Sequence, residues 1–171
     1  PSWCSSGDCP IYRDFFFNRE AEATLLATNP IIYEVYEATQ NPKTAGQLLY
    51  STTVISPGKV GNEYYMTKGH YHALRDRAEF YFGLRGTGYL ILQTPEGQIS
   101  VQPMPPGTAA YVPPYWGHRT INVGSDEFAF LAVYPADAGY DYGTISETGF
   151  ASIVIEQDGQ PQVVPNPRYR P

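Results

Sequence analysis

All three histidines of this 171-residue chain fall in two short stretches, and one glutamate accompanies them. His70, His72 and Glu79 lie in GHYHALRDRAEFYFGLRG, and His118 lies in PPYWGHRTIN. Imidazole is the commonest metal ligand in proteins, and a carboxylate often completes its set. His70 and His72 are two apart, so a strand would send both side chains from one face. The run Ala78–Leu84 (AEFYFGL) is rich in strand formers and can bring Glu79 back on a neighbouring strand. His118 then arrives from a later strand, beyond the turn-forming Pro113-Pro114 pair. A lone histidine is more often a surface or hydrogen-bonded residue than a ligand. Every histidine of a chain gathered into two such stretches points instead to a metal site made by His70, His72, Glu79 and His118.

The elements that must position these residues are short. Asn18 can cap a helix over Asn18–Thr28, with Glu20 and Glu22 near its positive end, and Asn29-Pro30 stops it. Strand-like runs then follow at Ile31–Glu37, Leu48–Ser56, Glu63–Thr67, Ala78–Leu84, Gly88–Thr94, Gln98–Gln102, Gly107–Val112, Arg119–Val123 and Phe128–Tyr134. Turn chemistry separates them at Pro57-Gly58, Gly86-Thr87-Gly88, Pro95-Glu96-Gly97, Pro105-Pro106-Gly107 and Gly124-Ser125-Asp126. A last hairpin, Ser152–Glu156 with Gln162–Val164, turns at Asp158-Gly159. Such spacing predicts an antiparallel all-β sandwich or barrel rather than alternating βαβ units. No repeat or long linker suggests a second domain.

Composition narrows the partners. A chain of this length can bury roughly 70% of its unfolded surface, and 42% apolar with 15% aromatic residues supports a substantial core. The net charge of −6 and pI near 4.9 argue against general binding of nucleic acid or anionic membrane. Any anionic ligand must therefore be held by local donors. No apolar run approaches the ~20 residues of a membrane span. The opening PSWCSSGDCP shows no secretion signal, so a cytoplasmic location is expected, with Cys4 and Cys9 as free thiols.

The two metal-bearing stretches resemble the paired motifs of the cupin superfamily, the first running Gly, His-x-His, Glu, Gly and the second Gly, Pro, Gly, His, Asn. Here the second reads Gly107, Pro113, His118 and Asn122, with Tyr115 where cupins usually carry glycine. Six residues separate His72 from Glu79, more than the general pattern allows. Both departures, together with TKGHYHALRDRAEFYFGLRGTG, ILQTPEGQ, GTAAYVPPYWGHRTINVG and LAVYPADAGYDYGTI, are similar to the cupin-type phosphoglucose isomerases of archaea and some bacteria. NPIIYEVYEATQ, PGKVGNEYYMTKGH and GFASIVIEQDG carry the resemblance across residues 29–167.

That resemblance implies a single-domain cupin jelly-roll barrel over 29–171, preceded by an arm and short helix over 1–28. It implies reversible interconversion of glucose 6-phosphate and fructose 6-phosphate in a homodimer. One divalent metal per subunit is implied, Fe²⁺ first, with Mn²⁺, Ni²⁺ or Zn²⁺ as alternative occupants. Three imidazoles and one carboxylate leave open positions on a six-coordinate ion for two substrate oxygens. Glu79 is then the expected base of an enediol route. In the alternative, a hydride passes from C2 to C1 and Glu79 is mainly a ligand. The enediol is favoured because it gives Glu79 a role in proton transfer, although metal binding weakens a carboxylate as a base.

Most of the 15 tyrosines read as packing residues, but several suit a sugar, which presents both C–H faces and hydroxyls. Tyr81 shares a strand face with Glu79, and Tyr115, three residues before His118, is expected to project its hydroxyl near the metal as a catalytic donor. By resemblance Tyr33, Tyr134 and Tyr142 face the substrate, while Thr53, Thr67 and the Gly69 amide hold its phosphate. Lys68 alternates away from Thr67 on an ideal strand and is not counted as a phosphate contact. Arg75, Asp76 and Arg77 read as a solvated turn. Two other functions share the ligand set: a different metal-cupin enzyme, and a sugar sensor without turnover.

Overall fold

A computed structural model describes residues 15–28, 30–38 and 44–171 and arranges their strands in three antiparallel sheets. The five-stranded sheet joins β1 (Tyr33–Glu37), β2 (Leu48–Ile55), β10 (Phe128–Pro135), β5 (Glu79–Arg85) and β8 (Ala109–Val112), in that order. The three-stranded sheet runs β7 (Ile99–Met104), β6 (Gly88–Gln93), β9 (Gly117–Asn122). The third runs β12 (Gln160–Pro165), β11 (Ser152–Gln157), β4 (Glu63–Tyr64), β3 (Lys59–Val60). Two helices, α1 (Arg19–Thr28) and α2 (Gly143–Thr148), complete the elements.

The sheets form a jelly-roll sandwich whose core includes Ile55, Leu90, Met104, Phe128 and Phe130. β9 is buried along its whole length, Arg119 included, so this strand can carry polar side chains into a dry interior. Gly88 has no room for a side chain, since a Cβ there would meet the Phe128 ring at 2.2 Å. The Asp158-Gly159 turn behaves as read: both residues have positive φ, 54° and 74°, and they join β11 to β12. Asn18 caps α1, its Oδ1 accepting from the Ala21 amide at 3.0 Å. Glu22 in turn accepts from the Phe15 and Phe16 amides, and Phe16 is fully buried in the common core. No helix among the described residues is long and apolar enough to cross a membrane.

Two expectations need correction. Glu63–Thr67 pairs as a strand only over Glu63–Tyr64; beyond it the chain is held by single bridges, Met66 to Ile121, His70 to His118 and Tyr71 to Asp141. Gly69, at φ 73°, interrupts extended geometry there, so His70 and His72 do not sit on a regular strand. α2, six residues long, is too short to leave a helical period in the sequence. Cys4 and Cys9 lie outside the described residues.

The outer face of the five-stranded sheet is strongly apolar. Register places Tyr50, Val133, Phe80 and Tyr111 side by side on four neighbouring strands. Tyr50, Phe80 and Tyr111 are 56%, 40% and 54% exposed.

Candidate metal centre and substrate cavity

Glu79 opens β5 with its side chain turned inward, opposite His118 of β9. His70 faces His118 through a mutual backbone bridge, its amide donating at 3.1 Å and its carbonyl accepting at 3.0 Å. The ligand atoms of His70, His72, Glu79 and His118 all lie within 4.8 Å of one another. His72 Nε2 and His118 Nε2 each approach Glu79 Oε2 to 3.0 Å, so both imidazoles meet one carboxylate oxygen. His72 Nδ1 sits 2.9 Å from the Arg77 carbonyl, to which it can only donate. That bond fixes the tautomer and leaves the Nε2 lone pair facing Glu79.

The cluster fits a cation. A neutral His72 and an ionised Glu79 would set two acceptors 3.0 Å apart, which a positive ion or a proton must reconcile. His70 Nε2 and His118 Nε2 are buried with no hydrogen-bond partner among the described residues, and the short approach of His118 to Glu79 lacks hydrogen-bond alignment. Orphaned buried nitrogens cost free energy unless something coordinates them. Burial opposes the Glu79 charge, yet with a proton on the facing imidazoles the pull of His118 and His72 outweighs it and holds the carboxyl down at about 2. Glu79 therefore stays an anion beside whichever cation, ion or proton, fills the cluster. Burial, and then the neighbouring His118, push His70 well below its usual value.

These residues end one side of a cavity of about 580 Å³. Tyr33, Thr53, Thr67, Gly69, Tyr81, Tyr134 and Tyr142 all line it, as do His70, Glu79 and His118. Thr120 follows His118 by two residues on β9, so its side chain leaves the same face about 7 Å further along. Its hydroxyl meets that of Thr67 at 3.2 Å, across from Thr53 on β2. Gly69 is required there: a Cβ would strike Phe150 at 2.7 Å and the His118 carbonyl at 2.9 Å.

Tyr115 is a correction. It is 59% exposed and does not line the cavity. Its φ of 71° lies in the left-handed region, where glycine is favoured, and its amide donates to the Arg75 carbonyl at 2.6 Å. The backbone geometry of a cupin glycine persists while the side chain points elsewhere. Lys68 also departs from expectation: outside a regular strand it lines the cavity beside Thr67, its Nζ over the rings of Phe15 and Tyr142.

Five polar lining residues escaped the sequence reading in whole or part: Glu37, Ser51, Lys68, Thr120 and Tyr140. Only Ser51 and Thr120 carried a local signal, their two-residue spacing from Thr53 and from His118. Tyr134 donates to Glu37 Oε2, and the single hydroxyl proton of Tyr140 is shared between Glu37 Oε2 at 3.1 Å and the Tyr134 oxygen at 3.0 Å. Burial, then the Glu37 carboxylate, push Tyr134 far above its normal range, so it stays a neutral donor. Tyr140 stacks on Tyr142 and sets its ring 5.0 Å from that of His70. The expected solvated turn, Arg75 to Arg77, latches this loop. Arg75 pairs with Asp141 and lies over the Tyr71 ring, and Arg77 grips Asp137 through two bonds of 3.0 and 2.8 Å.

A family model described as glucose-6-phosphate isomerase (GPI) matches residues 5–171. The chain belongs to the glucose-6-phosphate isomerase family. It is thus an enzyme, of the cupin type that its motifs resemble. The glucose-6-phosphate isomerase of Thermococcus kodakarensis is 55% identical over 158 residues, spanning 92% of this chain and 83% of its own. That of Pyrococcus horikoshii is 54% identical over 159 residues, spanning 92% and 84%. The isomerase of Sinorhizobium medicae is 43% identical over 130 residues, spanning 76% and 60%. Among solved structures, an oxalate oxidase in complex with glycolate superposes with a TM-score of 0.56 at 14% identity, covering 68% of this chain and 57% of its own. That likeness shows the jelly-roll fold alone.

Proposed function

We propose that the cavity interconverts glucose 6-phosphate and fructose 6-phosphate, with a divalent ion held by His70, His72, Glu79 and His118. The observation that carries this reading is the pairing, in one cavity, of the buried ligand cluster with a hydroxyl-rich end about 7 Å away along β9. An open-chain hexose phosphate has its reacting carbons at one end and its phosphate at the other. Bound in the cluster, a divalent ion would act as a Lewis acid towards the carbonyl end of the sugar. Fe²⁺ is the proposed occupant, on the family resemblance.

Thr67, Thr53, Thr120 and the Gly69 amide supply donors for the phosphate, and Lys68 supplies charge, in a chain whose net charge is otherwise −6. Glu79 takes both imidazole approaches on Oε2, which leaves Oε1 to move a proton between C2 and C1 along the enediol route. Tyr81, sealed beside Glu79 and far above its usual titration range through burial, remains a neutral donor and excludes water. The apolar stripe of Tyr50, Phe80 and Tyr111 supports a homodimer, because exposed aromatics in register across four strands mark an interface.

A coupled assay following fructose 6-phosphate conversion tests the reading. Chelation should lower activity at least about a hundredfold, and Fe²⁺ or Mn²⁺ should restore it. Full activity in rigorously metal-free protein would overturn the role of the metal. Metal-loaded protein that leaves both sugars unconverted would overturn the isomerase reading itself.

A further inference from the structure

Glu37 is a second carboxylate in the cavity wall, and nothing in the metal cluster uses it. It ends β1, where register aligns it with Ser51 of β2, Ala132 of β10 and Tyr81 of β5. The inward face of that row runs directly towards the ligand cluster, since Glu79 lies two residues before Tyr81. Both phenol bonds, from Tyr134 and from Tyr140, fall on Oε2. They fix the carboxylate in one orientation, and no hydrogen bond from the described residues falls on Oε1. Tyr140, one of the two clamps, touches the His70 ring, and Tyr81 joins the Glu37 row to Glu79, so the carboxylate belongs to the metal half of the cavity. A phosphate would be repelled by it, whereas a sugar hydroxyl is a natural donor to it.

Resting on the isomerase reading, we propose that Glu37 is a specificity-determining residue: its carboxylate accepts a hydrogen bond from the sugar hydroxyl at C3 or C4, next to the reacting carbons. C1 and C2 meet the ligand cluster and the phosphate on C6 meets the threonines, so the hydroxyls opposite Glu37 are those just beyond C2. A clamped carboxylate reads hydroxyl configuration well, because a wrong epimer leaves an acceptor that the bound sugar has covered unpaired. The enzyme therefore distinguishes glucose and fructose phosphates from their C3 or C4 epimers through Glu37, independently of the metal.

The test is steady-state kinetics on glucose 6-phosphate, its 3-deoxy analogue and its 4-deoxy analogue, with the metal-loaded native enzyme and with Glu37→Gln. A hydrogen bond to a charged group is worth about ten- to a hundredfold, so one deoxy analogue should show a KM raised by that factor in the native enzyme. In Glu37→Gln the KM for glucose 6-phosphate should rise about tenfold with kcat within about threefold, the pattern of lost uniform binding. The penalty for the same deoxy analogue should then shrink below about threefold. Metal content should be unchanged. Should Glu37→Gln fold poorly, Glu37→Asp keeps the charge, withdraws it by one methylene and should lose the same discrimination. Equal losses on all three substrates would overturn the proposal and reduce Glu37 to a positioning residue for Tyr134 and Tyr140. No turnover of glucose 6-phosphate by the native enzyme would remove the isomerase reading and this inference with it.

Discussion

Tyr115 occupies a conformation that costs a residue with a Cβ about 1 kcal/mol, and more than half of its side chain is exposed to water. Tyr115→Gly should therefore be neutral to stabilising, by up to about 1 kcal/mol, or 2–4 °C in a chain of this size. Thermal unfolding measures this directly. Tyr115→Phe should leave kcat and KM within about twofold, because the hydroxyl meets nothing in the cavity. A tenfold fall in turnover would return that hydroxyl to the substrate. At this scale the histidine–glutamate cluster was legible because histidine is scarce and its three copies are clustered. Tyr115 was misread for a physical reason: motif position predicts a backbone angle, whereas the side-chain direction follows from φ. Glu37 and Tyr140 were illegible because YEVYE is an ordinary alternating strand and Tyr140 lies in a loop placed by Arg75 and Arg77.

Among the elements, β3, β4 and the start of α1 meet around Glu63, which is 1% exposed. Its Oε2 accepts the Phe17 amide at 2.8 Å, while Oε1 has no partner among the described residues. Burial pushes this carboxyl from 4.5 up to about 7, against the pull of the Phe17 amide and Arg119, with Glu22 adding to the rise. A raised folded pKa means that its contribution is fully present below the unfolded value and is lost as pH climbs through about 7. The loss amounts to about 3 kcal/mol at most. Glu63→Gln removes the titration, so it should match the native enzyme near pH 4.5 and exceed it by up to that amount at pH 8.5. Chemical denaturation at the two pH values decides. A difference that does not change with pH would sink the assignment. The elements themselves were largely readable, since turn residues such as Asp158-Gly159 set the hairpins. The segment carrying His70 was not, because Gly69 and three isolated bridges, all non-local, replace strand pairing there.

For the whole molecule, the jelly roll separates two tasks between the faces of one sheet. Alternation along β5 sends Glu79 and Tyr81 to the cavity and Phe80 to the outside. If the proposed dimer uses this face, Phe80→Glu combined with Tyr50→Glu should convert it to monomers in sedimentation velocity at micromolar protein, weakening association about a hundredfold or more. Unaltered sedimentation would move the interface elsewhere. The histidine–glutamate cluster should survive that change, because none of its donors faces outward.

β1 is an edge strand: among the described residues it pairs with β2 alone, although it carries Tyr33 and Glu37 into the cavity. An edge can open without disturbing the strands behind it, so its amides should exchange with solvent through a local event of low cost. The rivets at its far end are the two phenols on Glu37, and a bound sugar phosphate would add more at Tyr33 and Glu37. Fructose 6-phosphate should therefore slow deuterium uptake in residues 33–37 severalfold, while β2, flanked on both sides, exchanges slowly with or without it. Hydrogen-exchange mass spectrometry can follow that contrast. Equal protection of β1 and β2 would mean that the wall is rigid and that ligands enter by another side.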